Sequence, residues 1–173
     1  MTNTTLRGVT AALVLIAGLG SAAAQESTNV VATEGDWTVF AAENPKECWA
    51  VSPPKATQNT DANGAPREVT RGDIRLYVAY RGGNGEVSFS GGYPFAPDST
   101  VEVDIGGTKF NLFTEGESAW TGSASEDEKL IAALRGGTNA VITGRSSRGT
   151  VTKDTFSLAG ITAATNTARS RCQ

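Results

Sequence analysis

The sequence predicts an all-β protein, an antiparallel β-sandwich with one short helix at about 126–135 and a weaker C-terminal helical pattern at about 161–170. Two observations predict it. Short strand-like runs of alternating apolar and polar residues dominate the chain, and Gly-rich turns separate them, with 20 glycines among 173 residues. A small closed barrel is the alternative, and the sequence does not separate the two.

The first 24 residues read as an export signal outside the fold, leaving one sandwich domain over 25–173. Arg7 gives a short positive segment, Val9 to Leu19 is apolar apart from Thr10 and Gly18, and Ala22-Ala23-Ala24 supplies small residues for cleavage. An apolar run of about 11 residues is well short of the roughly 20 that span a bilayer. No transmembrane segment is therefore expected after cleavage, and the protein is expected to be periplasmic or secreted.

The strands follow in order. Asp36 to Phe40 and Glu47 to Val51 alternate around a turn at Asn44-Pro45-Lys46. Ile74, Leu76, Val78 and Tyr80 share one face of the next run, and Glu86 to Ser90 follows after Gly82-Gly83-Asn84-Gly85. Val101 to Leu112 is a hairpin about Gly106-Gly107, where a two-residue turn needs positive φ at both positions. That turn sets Ile105 against Thr108, Val103 against Phe110 and Val101 against Leu112. Asp104 then meets Lys109, and Glu102 meets Asn111, on the polar face. Ser125-Glu126-Asp127-Glu128 reads as a capping box opening the helix, with Leu130, Ile131 and Leu134 as its apolar stripe and Gly136 as a left-handed cap. Ala140–Gly144 and Thr150–Leu158 read as strands joined through Arg145 to Gly149. Ile161, Ala164, Thr165, Ala168 and Cys172 then fall on one helical face. Ser52 to Asp73 carries little element signal and reads as a long loop, either a mobile excursion or a functional arm.

Cys48 and Cys172 are the only cysteines. In an oxidising compartment such a pair reads as a disulfide; two buried free thiols, or a redox pair, are the other readings.

Composition excludes much chemistry. With no His there is no Ser-His-Asp triad, no Cys-His pair and no His-bound metal or haem. Gly-x-Ser-x-Gly and a Gly-Lys-Ser/Thr phosphate loop are absent, and Asp98-Ser99-Thr100 is too sparse for a calcium loop. No cofactor is expected. After cleavage the chain holds 14 basic and 18 acidic residues, which argues against a nucleic-acid partner. Residues 98–128 carry eight acids and one Lys, while 129–173 carry seven bases and one acid. The two segments neutralise each other if folded together, and otherwise make a dipolar surface.

A glycosidase needs two convergent carboxylates. Glu115/Glu117, Glu102/Asp104 and Glu126/Asp127/Glu128 are the candidates, and each is more simply a solvated charge. Gly91-Gly92-Tyr93-Pro94-Phe95 sets two aromatics in a stiff turn. They either plug the end of the sandwich or form a contact site.

Trp37-Thr38-Val39-Phe40, Cys48 to Pro53, Gly91 to Phe95, Ala119-Trp120 and Lys153 to Gly160, taken in order, resemble the invasion-associated locus B family of bacterial exported proteins. The resemblance covers about 36–172. It implies an exported, all-β protein without a recognised catalytic apparatus, in a family named for a role of some members in host-cell invasion. The chain departs from better-known members in lacking a close Cys pair in a mid-chain hairpin, and the family offers no functional residues to carry over. The expectation is a non-catalytic binding or envelope-associated protein. Tyr93 and Phe95, with Arg145 and Arg148, are expected to meet an unidentified envelope or surface protein. The alternative is a small carboxylate-dependent hydrolase acting on envelope glycans.

Overall fold

Eleven antiparallel strands and two helices make up the computed structural model, which describes residues 29–173. The expected export signal lies outside the described residues. In chain order the strands are β1 (Val30–Glu34), β2 (Trp37–Glu43), β3 (Lys46–Ser52), β4 (Ala56–Thr60), β5 (Arg75–Arg81), β6 (Asn84–Ser90), β7 (Thr100–Ile105), β8 (Thr108–Glu115) and β9 (Ser118–Trp120). Helix α1 (Ala124–Gly136), β10 (Asn139–Arg145), β11 (Val151–Ser157) and helix α2 (Ile161–Arg171) complete the fold.

The strands form one sheet in the order β1-β2-β3-β5-β6-β9-β8-β7-β10-β11-β4. Its ends, β1 and β4, do not pair, so the sheet is not closed into a barrel. It folds over instead, and distant strands share one core. The ring of Phe89 on β6 packs edge-on against Phe156 on β11 at 6.1 Å, and the Trp37 indole on β2 donates to the Ser157 carbonyl at 3.1 Å. This is the expected sandwich-like arrangement.

The β7–β8 hairpin has the register that its turn dictates, from Ile105↔Thr108 through Val103↔Phe110 to Val101↔Leu112. Gly106 and Gly107 sit at φ +59° and +90°, which side-chain-bearing residues rarely adopt. The polar face differs in one detail: Lys109 pairs diagonally with Glu102 at 2.8 Å, because Asp104 accepts the Gly107 N–H and closes the turn.

Helix α1 begins two residues before the expected start. Ser123, not Ser125, is its N-cap and accepts from the Glu126 N–H, while the Glu126 carboxylate accepts from the Gly122 N–H. The earlier cap turns Asp127 inward, where it accepts the Val87 N–H at 2.7 Å and docks the helix on β6. Gly136 stays helical and the chain leaves through an extended Gly137, so no left-handed cap forms. Helix α2 buries Ile161, Ala164, Thr165 and Ala168, the predicted face, against β1, β2, β3 and β5. That face carries Cys172 to Cys48, and the two form a disulfide with Cα atoms 5.7 Å apart.

The segment 52–73 is not wholly a loop. Its residues 56–60 are β4, an edge strand paired with β11 from Thr60↔Val151 to Ala56↔Thr155. Strand β1 was likewise not expected. It adds to β2 at the other edge.

Candidate functional site

Two turns and one irregular segment converge beside β11. Phe95 bridges to Ser146, Ala96 N–H donates to the Arg145 carbonyl at 2.9 Å, and Ser147 N–H donates to the Pro94 carbonyl at 2.9 Å. The Gly91–Phe95 turn and the Arg145–Gly149 turn therefore share an edge. After β4, the Asp61 carboxylate accepts the Asn63 and Ala65 N–H groups and turns the chain back. Residues 66–72 then run across the opening as a strap.

Arg71 fastens the strap. Its guanidinium donates to both oxygens of Asp154 at 2.7 and 2.6 Å, twice to the Gly91 carbonyl at 3.0 and 2.8 Å, and to Asn59 Oδ1 at 3.3 Å. It also lies 5.0 Å above the centre of the Tyr93 ring. The side chains of Arg71 and Asp154 are 6% and 0% exposed. Burial pushes the Asp154 carboxyl up, against the lowering effect of Arg71. Gly72 N–H donates to the Gly92 carbonyl at 2.8 Å, an approach that a Cβ at Gly92 would block, since it would stand 2.6–2.9 Å from Gly72 backbone atoms.

The result is a cleft of about 550 Å³ whose wall includes Arg67, Arg71, Tyr93, Ser147, Arg148 and Thr152. Arg67 holds the strap's other end through Thr150 Oγ1 at 3.2 Å and the Arg148 carbonyl at 3.4 Å. Tyr93 is half-buried, with its hydroxyl 2.6 Å from Thr152 Oγ1, and burial pushes its phenol up.

The four expected contact residues are split by this geometry. Tyr93 and Arg148 line the cleft. Arg145 is exposed on the shared turn but does not line it. Phe95 is a core residue, 6% exposed, packed on Tyr93 at 5.0 Å and Phe89 at 6.2 Å. Its expected place on a contact surface is therefore corrected. Its pairing with Ser146 turns the ring inward, and Gly144 leaves room for it, since a Cβ there would stand 2.9 Å from Phe95 Cε1.

Sequence reasoning missed the Arg71–Asp154 pair. A signal was present: Asp154 stands between Thr152 and Phe156 at an inward position of an alternating strand, and a buried acid there requires a cation. For acid–base chemistry, the cleft wall holds Glu68 and Glu117, both exposed, while both oxygens of Asp154 are engaged by Arg71. Among the described residues no group of three His, Cys, Asp or Glu is placed to hold a metal ion, and no helix is long and apolar enough to cross a membrane.

The sequence profile of a family described as Invasion associated locus B (IalB) protein matches residues 37–169. The crystal structure of invasion associated protein b from Bartonella henselae superposes with a TM-score of 0.55 at 16% identity, covering 80% of this chain and 95% of that one. At that identity the likeness concerns the fold. Among curated proteins, none matches.

Proposed function

The chain belongs to the invasion-associated locus B family, and from that membership and the strapped cleft we propose that it is an exported, non-catalytic binding protein of the cell envelope. The periplasm, or release outside the cell, is its compartment. The cleft beneath residues 66–72 is its contact site. The observation that carries this reading is Arg71. A buried guanidinium holding the middle of β11, the end of β4, the Gly91 turn and a tyrosine face fixes the shape of an open cleft, which is how a rigid scaffold presents a recognition surface. Export is supported by the leader-like first 24 residues and by the Cys48–Cys172 disulfide, which persists in oxidising compartments.

The test is a photo-crosslinking residue at Ser147, on the cleft wall, with a second at Thr143, on the sheet's outer face. An envelope component captured from Ser147 and not from Thr143 is expected, from a processed protein whose intact mass begins at Gln25. Equal capture from both positions, or a species beginning at Met1, overturns the reading. The carboxylate hydrolase gains instead if the purified protein releases reducing ends from envelope glycan and Glu117→Gln abolishes the release.

A further inference from the structure

The outward face of the sheet is divided. On β7, β10 and β11 it is mostly polar and holds no aromatic ring, with Glu102, Asp104, Thr143 and Lys153 beside Val141 and Val151. On the other half it carries aromatics. Phe113 on β8 lies opposite Trp120 on β9, which lies opposite Ser88 and then Tyr77. Phe40 on β2 lies opposite Trp49 on β3. Both pairs are stacked or nearly so, Phe113–Trp120 at 5.7 Å and 31°, Phe40–Trp49 at 5.9 Å and 15°. Cross-strand pairing alone accounts for rings that cover one another. It does not account for Phe113, which remains 49% exposed.

Phe113 and Trp120 form one wall of a groove of about 600 Å³, a volume within the range of small-molecule sites. Arg81, Asn84, Glu86 and Thr121 are among its other lining groups. This groove shares no lining residue with the strapped cleft. Arg81 pairs with Glu47 at 2.6 Å and with Glu86 at 3.5 Å, and all three side chains keep solvent exposure. Its cation is thus already balanced, which disfavours an anionic ligand. The strands beneath are interior to the sheet order, so no edge is open for an added peptide strand. An acyl chain needs an enclosed apolar channel, and this groove is open with charged groups along it.

We propose that the Phe113–Trp120 groove is a binding site for neutral saccharide. A pyranose ring has an apolar C–H face and a rim of hydroxyls. The face packs on the ring surface that the Phe113–Trp120 pair leaves uncovered, and the rim meets planar groups (Arg81, Asn84, Glu86) that each bridge adjacent hydroxyls. The Phe40–Trp49 pair stands three strand steps and two residues along from Trp120, roughly 16 Å at the usual spacings, with Ser88, Tyr77, Ala79 and Glu86 on the sheet between. A glycan of several sugar units reaches both pads.

The experiment is a titration of the purified protein with chitotriose, cellotriose and maltotriose, read by the Trp120 indole N–H resonance. Saturable shifts are expected with at least one. Trp120→Ala abolishes binding heat in a calorimetric titration of the same sugar, and Phe113→Ala and Glu86→Gln each weaken binding about tenfold or more. Trp49→Ala weakens binding of the matching hexasaccharide, and Lys153→Ala, on the polar part of the same face, leaves trisaccharide affinity unchanged. Phe113 and Glu86 are exposed, so their variants fold even where Trp120→Ala does not. The proposal is overturned if no trisaccharide perturbs Trp120 at about 10 mM. It is also overturned if binding survives Phe113→Ala and Glu86→Gln unchanged. Self-association or binding to neutral phosphatidylcholine vesicles that needs Trp120 in place of sugar binding overturns it as well.

Discussion

Arg71 and Asp154 form a two-pronged ion pair at 2.7 and 2.6 Å, with both side chains nearly sealed from solvent. They are 83 residues apart in sequence. The pair joins the strap to the inner face of β11, and its remaining donors are spent on Gly91 and Asn59. Removing one partner leaves the other buried and uncompensated. Arg71→Ala is therefore expected to cost about 3–5 kcal/mol by urea unfolding. It should also open the strap to proteolysis between 62 and 72. The double variant Arg71→Met, Asp154→Leu is expected to lose less than Arg71→Ala alone, because two apolar groups need no partner. A double variant as unstable as the sum of the singles would count against the pair as one unit.

Tyr93 links the strap to β11 through its face and its hydroxyl. Tyr93→Phe keeps the ring under Arg71 but leaves Thr152, 1% exposed, without its partner at 2.6 Å. The expected cost at neutral pH is about 1–2 kcal/mol. The pH dependence has a definite sign. Burial raises the phenols of Tyr93 and Tyr80 above the usual 10.0, so the folded protein holds these protons after the unfolded chain has released them. Their stability contribution is complete below pH 10 and is lost as pH rises through the raised values. Melting temperatures measured from pH 8 upward should fall beyond about pH 10, and fall less steeply in Tyr93→Phe.

Phe95 separates two readings of the Gly91–Phe95 turn. With its ring buried among Phe89 and Tyr93, Phe95→Ala is expected to cost about 3–5 kcal/mol. A loss below about 1 kcal/mol, as for a surface change, would contradict the burial.

What was legible in the sequence is what local rules decide. The β7–β8 register follows from two glycines and an alternating pattern, and the face of α2 follows from a 3.6 period. The edge strands were not legible. β4 reads Ala-Thr-Gln-Asn-Thr, with no apolar alternation, because it is mostly exposed and held by backbone pairing to β11. Such a strand is created by its neighbour. The cleft was half legible for the same reason. The two turns announced themselves through Gly and Pro, but their meeting depends on the Phe95–Ser146 bridge, and the strap depends on a pair 83 residues apart. No short-range pattern carries either.

Helix α1 shows how tertiary contacts choose between equal local signals. Ser123-x-x-Glu126 and Ser125-x-x-Glu128 are both capping boxes in sequence. The first is used, because it places Asp127 against the Val87 N–H. Ser123→Ala should therefore cost about 1 kcal/mol, and Ser125→Ala close to nothing, in matched thermal melts. The reverse order would move the helix start back to the later serine.

The last prediction concerns how the C-terminus is held. Helix α2 buries one large apolar side chain, Ile161, together with Ala164, Thr165 and Ala168, so its packing supplies modest apolar area. Polar ties add to it: Arg135 donates to Thr165 at 2.9 Å and to Asn166 at 3.1 Å, and Gly83 N–H donates to the Cys172 carbonyl at 3.2 Å. The disulfide to Cys48 is the strongest tie, and it constrains a separation of 124 residues in the unfolded chain. The loop-entropy account gives about 5 kcal/mol for such a closure, and measured bridges commonly give about 2–4. Cys172→Ser is expected to lose an amount in that range, and wild type unfolded under reducing conditions should lose the same. A non-reducing peptide map should recover the Cys48 and Cys172 peptides joined. The loss should be local before it is global. Amide exchange should quicken first in the last turn of α2, where burial is thinnest, while β5 and β6 keep their protection. Equal stability of oxidised and reduced protein would show that packing alone holds the helix, and would remove the bridge from the account of the fold.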